Sequence, residues 1–332
     1  MFKFACGFQR IIAKILLDKT SISLDNLKTG LGILLLSILS SCNSSSDNIS
    51  NNPENKPLVL TTFTVLADMA RNIAGERLLV QSITKLGAEI HGYQPTPSDL
   101  VKASKADLIV ENGLGLELWA RKFTAAAGDV PTLVLSKGMV PLLIEGDAYA
   151  GKPNPHAWMS PKRAMIYVDN LVIGFIELDP LGKEIYINNA IRYKQKLKEL
   201  DIELRESLAK IPKQRRVLVS CEGAFTYLTH DYGMEEAYLW PVNAESQVTP
   251  KRMLKLINKI KERQIPTIFC ESTVSSKAQR EVARTTGAKF GGTFYVDSLS
   301  SPDGPAPTLF KLQRHNVELI QQGLVTQTSD TK

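Results

Sequence analysis

The sequence predicts an α/β protein of two parallel-sheet lobes joined by a single long α-helix. Short apolar runs alternate with amphipathic stretches in two regions, residues 58–180 and residues 213–325. This βαβα order is typical of a parallel sheet with helices on both faces. Between the two regions, residues 181–212 carry apolar residues at helical spacing, up to Pro212. The 332 residues are enough for two lobes of ordinary size.

The first lobe contains four predicted strands, which are short apolar runs bounded by polar residues. We expect these strands at 58–62, 78–84, 107–111 and 131–136. The amphipathic stretches between and after them predict helices at 65–73, 98–104, 116–126 and 161–177. Ser98 is the predicted cap of the second helix, because its hydroxyl can accept a hydrogen bond from a free backbone N–H group.

The connecting helix is predicted for 181–212, after a break at Asp179-Pro180. Its apolar residues at helical spacing are Ile185, Ile187, Ala190, Ile191, Tyr193, Leu197, Leu200, Ile202, Leu204 and Leu208. A helix of about 30 residues is about 45 Å long. The alternative is one more packing helix in a single domain, which this length disfavours.

The second lobe repeats the alternation. Its strands are expected at 216–221, 236–240, 267–271 and 289–296, with helices at 223–232, 250–263, 276–286 and 307–322. Thr249 is the predicted cap of the helix that begins at Pro250. The last residues, 326–332, are polar and are predicted to be a loose tail.

The first 41 residues are predicted to be an export signal. Lys28 precedes the apolar run 31–39, which is too short to cross a bilayer and suits the core of a signal peptide. Leu39-Ser40-Ser41-Cys42 resembles a bacterial lipobox, so Cys42 is the predicted lipidation site. The Ser/Asn-rich stretch within 42–57 predicts a flexible tether and argues against the alternative, a buried hydrophobic helix.

The charge distribution excludes a nucleic-acid partner. The net charge is +6, but residues 1–41 hold five of the basic residues and two of the acidic ones. The remaining 35 basic and 32 acidic residues leave +3, and no basic stripe carries interleaved aromatic residues.

Two of the four histidines lie on loops stiffened by proline. His156 follows Pro153 and Pro155 and precedes Pro161, and His91 precedes a second proline-rich loop, 92–97. Each is followed two residues later by an aromatic residue. A rigid turn with an incidental histidine is the alternative for either loop alone; two such loops predict two halves of one metal site.

Parallel sheets place ligand sites beyond the carboxyl ends of their strands. This rule selects His91 and His156 in the first lobe, and Glu222 and Asp297 in the second. Two imidazoles facing two carboxylates across a cleft predict one cation site. The remaining histidines, His230 and His315, lie in predicted helices and are expected to be surface or packing residues.

The sequence resembles the metal-binding lipoproteins of the zinc/manganese ABC importers, the cluster A-I solute-binding proteins. The resemblance covers residues 56–324 and rests, besides the His91 loop, on five stretches: Pro95-Thr96-Pro97-Ser98-Asp99-Leu100, Asn112-Gly113-Leu114-Gly115-Leu116-Glu117, Asn154-Pro155-His156-Ala157-Trp158-Met159-Ser160-Pro161, Phe269-Cys270-Glu271-Ser272 and Tyr295-Val296-Asp297-Ser298-Leu299-Ser300. It implies two α/β lobes joined by one long helix, and His91, His156, Glu222 and Asp297 as metal ligands. Asn154 and Gln94 depart from the Asp and Glu that the family often carries.

Position 222 predicts the identity of the metal. Zinc importers of this family carry His there and a His/Asp-rich loop before the second ligand, whereas this chain has Glu222 and no His within 140–155. Zn²⁺ favours His and Cys ligands, and carboxylates suit Mn²⁺. The predicted cargo is therefore Mn²⁺, with Zn²⁺ or Fe²⁺ as alternatives.

The predicted protein is a monomeric, lipid-anchored carrier in the periplasm or on the outer face of the bacterial cytoplasmic membrane. It would deliver its ion to the membrane permease of an ABC transporter. A metallohydrolase is the enzymatic alternative, but a catalytic metal needs an open position for water and four protein ligands disfavour this. An adhesin-like surface lipoprotein is a further alternative.

Cys221 and Cys270 end the first and third strands of the second lobe. In a 2-1-3-4 strand order these strands are neighbours, about 4.8 Å apart, which a disulfide can span. An exported domain permits the bridge. It is expected either to be a plain structural staple or to influence the adjacent Glu222, so that reduction weakens metal binding.

Overall fold

The first lobe is a four-stranded parallel sheet with helices packed on it. The computed structural model describes residues 56–145, 149–242 and 248–325. The strand order is β2-β1-β3-β4, and every pairing is parallel. The elements of this lobe are β1 (Leu58–Thr61), α1 (Thr64–Ala74), β2 (Leu79–Ser82), α2 (Pro97–Ala103), β3 (Leu108–Glu111), α3 (Ala120–Ala127), β4 (Thr132–Val134) and α4 (Pro161–Leu178).

The predicted signal segment 1–41, the lipidation site Cys42 and the tail 326–332 lie outside the described residues, as does nearly all of the tether. Within the described part of the chain, no helix combines the length and the apolar character that crossing a membrane requires.

The cap of α2 is Thr96 and not the predicted Ser98. The Thr96 hydroxyl accepts from the backbone N–H of Asp99, and the Asp99 carboxylate accepts from the backbone N–H of Thr96. Pro97 then occupies the first turn, where its missing N–H costs nothing. The reciprocal pair satisfies two free donors at once, which a cap at Ser98 could not do.

The connecting helix is α5 (Lys183–Ala209), preceded by a 3₁₀ turn at Pro180–Gly182. It packs against α4, α1 and α9, so it both joins the lobes and supports them. Its buried stripe has spacings of three and four residues: Tyr186, Ala190, Tyr193, Leu197, Leu200, Leu204 and Leu208. Several of the apolar residues counted in the sequence face solvent instead, with Ile191 62% and Ile202 57% exposed.

The second lobe consists of two parallel two-stranded ladders, β5-β6 and β7-β8. Its elements are β5 (Val217–Glu222), α6 (Thr226–Tyr232), β6 (Glu235–Trp240), α7 (Pro250–Glu262), β7 (Thr267–Glu271), α8 (Lys277–Thr286), β8 (Lys289–Phe294) and α9 (Leu309–Val325). β5 and β7 are neighbours, as the predicted order requires. However, they do not form one continuous backbone ladder, and side chains join them instead.

Buried hydrogen bonds join the two lobes around Trp158. This side chain is fully buried, packs 5.0 Å from the Phe63 ring and donates through Nε1 to the carbonyl of Val296. The amide of Gln313 donates to the Trp158 carbonyl. The segment that carries His156 is therefore held against the segment that carries Asp297.

A charged clamp also ties the lobes together at the start of α4. Asp231 on α6 accepts from Ser160 Oγ at 2.7 Å and from Arg163 Nε and Nη2 at 3.1 and 2.9 Å. Burial alone would raise the pKa of Asp231, but hydrogen bonds from Arg163, Ser160 and His230 outweigh it and lower the pKa to about 2.

We expect the Asp231→Asn substitution to lower the free energy of unfolding at pH 7 by about 1–2 kcal/mol, since Arg163 is partly exposed and screened by water. A depressed carboxyl pKa stabilises the fold above the unfolded-state pKa of about 3.9, and this stability is lost as the pH falls toward the folded-state value of about 2. Urea unfolding from pH 7 to pH 2.5 should show the difference from wild type shrinking. The exposed pair partner Asp169, changed to Asn, is the control; a difference that is constant with pH would contradict the clamp.

Candidate metal centre

His91 lies within the loop between β2 and α2. The Glu89 carboxylate accepts from the backbone N–H of His91 at 2.6 Å and of Gly92 at 2.8 Å, which shapes this turn. The indole of Trp119 donates to the carbonyl of Ile90 at 2.8 Å and holds the loop against the lobe. The His91 side chain is consequently buried, as the prediction of a rigid loop requires.

His156 precedes a 3₁₀ turn, Ala157–Met159, on the loop between β4 and α4. It is 0% exposed. Asn154 Oδ1 lies 3.0 Å from both the backbone N and the ring Nδ1 of His156. Since an amide oxygen only accepts, Nδ1 carries the proton and Nε2 presents its lone pair. The amide of Asn112 donates to the Pro155 carbonyl and anchors the loop to the end of β3.

The two carboxylates come from opposite ladders of the second lobe. Glu222 is the last residue of β5, and Asp297 follows β8 by three residues. Both are buried. Gly223 makes the turn after Glu222, because a Cβ at this position would lie 2.6 Å from the Pro241 carbonyl oxygen. A larger residue at 223, next to Glu222, would therefore require the backbone here or at Pro241 to shift.

The structure brings all four predicted residues together. The Nε2 atoms of His91 and His156 are 3.2 Å apart. Glu222 Oε1 lies 3.1 Å from Nε2 of His91 and 3.7 Å from Nε2 of His156. Asp297 Oδ2 and Oδ1 lie 3.7 Å from the Nε2 atoms of His91 and His156, respectively. Donors at about 2.0–2.2 Å from one ion are about 3.3–3.6 Å apart in a tetrahedron, so these spacings fit a first-row divalent cation.

The electrostatics of the cluster suit a cation. Burial lowers the pKa of His91 to about 3, and burial with a contribution from His91 lowers the pKa of His156 well below its usual range. Both imidazoles are therefore neutral at pH 7, the form that binds metal. Burial, with repulsion from Glu89, raises the pKa of Asp297 to about 8. A divalent ion would favour the ionised carboxylate that burial disfavours.

Two polar atoms of the cluster, Nδ1 of His91 and Oδ1 of Asp297, are buried without a hydrogen-bond partner in the described part of the chain. Asp297 Oδ1 is buried and accepts no hydrogen bond within the described ranges. Since a buried carboxylate oxygen without a partner is costly, this atom fits the role of a metal ligand.

Side chains close the seam between β5 and β7 next to Glu222. Cys221 and Cys270 form the predicted disulfide, with Cα atoms 4.8 Å apart. The Gln279 amide on α8 donates to the carbonyls of Ser220 and Phe269 at 3.0 and 2.9 Å. The Glu271 carboxylate accepts from the backbone N–H of Glu222 at 3.3 and 3.4 Å.

Sequence reasoning did not assign roles to Glu271 and Gln279. The position of Glu271 at the end of β7 was a signal, because that strand ends at the same edge as β5. Gln279 lies inside a helix and gives no local signal. The other two histidines lie outside the cluster: His230 contacts Asp231, and His315 contacts the Thr293 carbonyl.

Comparison with known proteins places this arrangement in a family. Residues 59–323 match the model of the ZnuA family, described as zinc-uptake complex component A, periplasmic. The chain belongs to the ZnuA family. It is the substrate-binding component of a metal ABC importer, with the predicted two-lobe fold, and it is a transport protein and not an enzyme.

Relatives within the family differ in the metal that they are named for. The iron-binding protein YfeA of Yersinia pestis is 48% identical over 291 residues, which cover 88% of this chain and 94% of YfeA. The manganese ABC transporter substrate-binding lipoprotein PsaA of Streptococcus pneumoniae is 32% identical over 300 residues, which cover 88% of this chain and 94% of PsaA. The Mn-bound periplasmic metal binding protein of Candidatus Liberibacter asiaticus superposes with a TM-score of 0.75 at 37% identity, covering 81% of this chain and 100% of that structure.

Proposed function

We propose that this protein captures Mn²⁺ with His91, His156, Glu222 and Asp297 and delivers it to the membrane permease of its importer. The observation that carries the proposal is the donor set, in which the Nε2 atoms of two neutral imidazoles lie 3.1–3.7 Å from oxygens of two carboxylates. Carboxylate oxygen is a harder ligand than imidazole or thiolate and suits Mn²⁺ more than Zn²⁺.

The orientation of Asp297 supports the same choice. Its two oxygens each face a different histidine, at 3.7 Å, so the carboxylate can approach one ion with both oxygens. Such a site can exceed four donors, whereas structural Zn²⁺ sites are almost always tetrahedral. The Mn-bound solved structure at 37% identity is consistent with a manganese cargo.

Fe²⁺ is the second candidate cargo. The 48% identity to an iron-binding protein favours it. Imidazole binds iron as well as zinc, and sites with two histidines and carboxylates occur in ferrous proteins. An assay in air would miss this ion, so metal loading needs anaerobic conditions.

We also propose that Cys42 carries a lipid that anchors the chain to a membrane, in the periplasm or on the outer face of the cytoplasmic membrane. The protein would act as a monomer. Relatives that are named as lipoproteins support the anchor. The permease would release the ion by separating the two histidines from the two carboxylates.

Metal content tests the cargo. Residues 43–332 are purified anaerobically from medium with equal Mn, Fe and Zn, beside the Glu222→His variant. We expect about one Mn per wild-type chain, and a shift toward Zn in the variant because a third imidazole replaces a carboxylate oxygen. About one Fe per wild-type chain would instead favour the second candidate cargo. Elemental analysis gives both values.

Glu76→His is the control for adding a histidine, because the Glu76 side chain is 97% exposed and Glu76 precedes the start of β2, at the opposite end of that strand from the His91 loop. Zn in both the wild type and the Glu222→His variant would contradict the role of position 222 and favour a zinc carrier. Absence of metal from the wild type would contradict the site itself.

A further inference from the structure

Asn154 is a buried amide whose polar groups are all paired, although sequence reasoning gave it no role. It is 1% exposed. Its Nδ2 donates to the carbonyl of Gly223 at 2.7 Å and to Thr226 Oγ1 at 3.0 Å, both in the second lobe. Its Oδ1 accepts from the backbone N–H and the Nδ1–H of His156, each at 3.0 Å, in the first lobe.

Backbone partners fix the orientation of this amide. The N–H of His156 can only donate, so the atom facing it is the oxygen. The carbonyl of Gly223 can only accept, so the atom facing it is the nitrogen. A flipped amide would lose both contacts and leave buried groups unpaired, which is costly. The same side chain therefore orients the His156 ring through one hydrogen bond and binds the carbonyl of Gly223, the residue after Glu222, through another.

The backbone of Asn154 is tied across the lobes as well. The Tyr227 hydroxyl on α6 donates to the Asn154 carbonyl at 2.8 Å and accepts from the backbone N–H of Leu142 at 3.2 Å. The Asn154 N–H donates to the Leu142 carbonyl at 2.8 Å. The loop before His156 is thus attached to α6 at both the side chain and the backbone.

We propose that Asn154 is a positioning residue that couples the orientation of the His156 ligand to closure of the lobes. The inference rests on the proposed function, because it takes His156 and Glu222 as ligands of one ion. When the lobes are together, the amide keeps Nε2 of His156 aimed at the cluster. When the lobes separate, Nδ2 of Asn154 loses its hydrogen bonds to the Gly223 carbonyl and Thr226 Oγ1. The amide is then free to rotate, and His156 loses the hydrogen bond that orients its ring. Opening would therefore weaken a ligand as well as move it.

The Asn154→Asp variant separates the two contacts. A carboxylate still accepts from Nδ1–H and the N–H of His156, but it cannot donate to the Gly223 carbonyl. Leaving a buried carbonyl without its donor costs enough free energy to change an equilibrium about tenfold. We expect Mn²⁺ to dissociate about tenfold faster from Asn154→Asp, because the variant keeps both contacts to His156 and loses the donor to Gly223 that stabilises the closed state.

A second variant addresses the same link without a new charge. Tyr227→Phe removes the hydroxyl that holds the Asn154 carbonyl and keeps the ring. It should also accelerate Mn²⁺ dissociation, by a smaller factor. Asn170→Asp is the matched control: the Asn170 amide, in the same lobe, donates to the carbonyls of Leu135 and Lys137 and touches neither His156 nor the second lobe.

Dissociation into excess chelator can be followed by tryptophan fluorescence, since the Trp158 ring packs 5.2 Å from the His156 ring. Melting temperatures of the metal-free variants verify folding. Faster dissociation from both Asn154→Asp and Tyr227→Phe than from Asn170→Asp supports the coupling. A wild-type dissociation rate in either variant overturns it, while leaving the proposed function intact. A wild-type protein that binds neither Mn²⁺ nor Fe²⁺ overturns the proposed function, and the coupling with it.

Discussion

The His156→Ala substitution is expected to lower the affinity for Mn²⁺ or Fe²⁺ by more than about 100-fold. Loss of an outer contact to a ligand costs about 10–100-fold, and loss of the ligand itself must cost more. His156 is fully buried with Nε2 3.2 Å from that of His91, so no described side chain can take its place without moving the loop. Isothermal titration of anaerobic, metal-free protein gives the affinity.

The His315→Ala variant is the matched control for this loss. His315 lies on α9 and contacts the Thr293 carbonyl, outside the cluster. The His315→Ala variant should retain the wild-type affinity for the metal ion. If His156→Ala binds as tightly as His315→Ala, then His156 is not a ligand and its buried position serves packing alone. The pairing of the variants separates metal loss from a general effect of removing a histidine.

Removing the Cys221–Cys270 disulfide is expected to lower the free energy of unfolding by about 4 kcal/mol in the chain-entropy model. The cysteines are 49 residues apart in the chain, so the bridge restricts a long loop of the unfolded state. The Cys221→Ser, Cys270→Ser double variant, or the reduced wild type, can be compared with the oxidised protein by urea unfolding without metal.

The same change is expected to weaken metal binding. Glu222 follows Cys221 directly and lies on the β5-β6 ladder, whereas Asp297 follows the β7-β8 ladder. The disulfide and the Gln279 amide hold the two ladders together at this end. If the contact between the two ladders were weaker, the carboxylates of Glu222 and Asp297 could move apart, and the metal dissociation constant would rise.

The two readouts distinguish a ligand-positioning role from a plain structural staple. Lower stability with equal Mn²⁺ affinity before and after reduction would mean that the disulfide only supports the fold. A concerted fall in both would assign it the additional role of setting the distance between the ladders. Titration at a temperature well below the unfolding transition keeps the two effects apart.

The strand-end rule explains why four residues far apart in the chain could be found without coordinates. Parallel strands place their carboxyl ends at one edge of each sheet, and loops after these ends converge. His91, His156, Glu222 and Asp297 all follow this rule. The proline-rich loops predicted rigid positions for His91 and His156, and one long uninterrupted helical stretch predicted the helix that connects the lobes.

Local pattern failed where burial depended on neighbours. Ile191 and Ile202 have the apolar character and the helical spacing of core residues, yet they are exposed because α4, α1 and α9 pack on another stripe of α5. Ser98 is a good cap by type, but Thr96 has Asp99 at the spacing that closes a reciprocal pair. In both cases, several arrangements were compatible with the local sequence.

The sequence by itself determined the two-lobe α/β class, the connecting helix, the disulfide pair and the four clustered residues, because periodicity and strand ends are local or topological properties. Only the tertiary structure decided how the second lobe is joined and how the lobes meet. The Gln279 amide that bridges β5 and β7, and the Asn154 amide that donates to the Gly223 carbonyl, make contacts between residues 10 to 69 positions apart. No spacing in the chain encodes such contacts, since they arise from the geometry of packed elements.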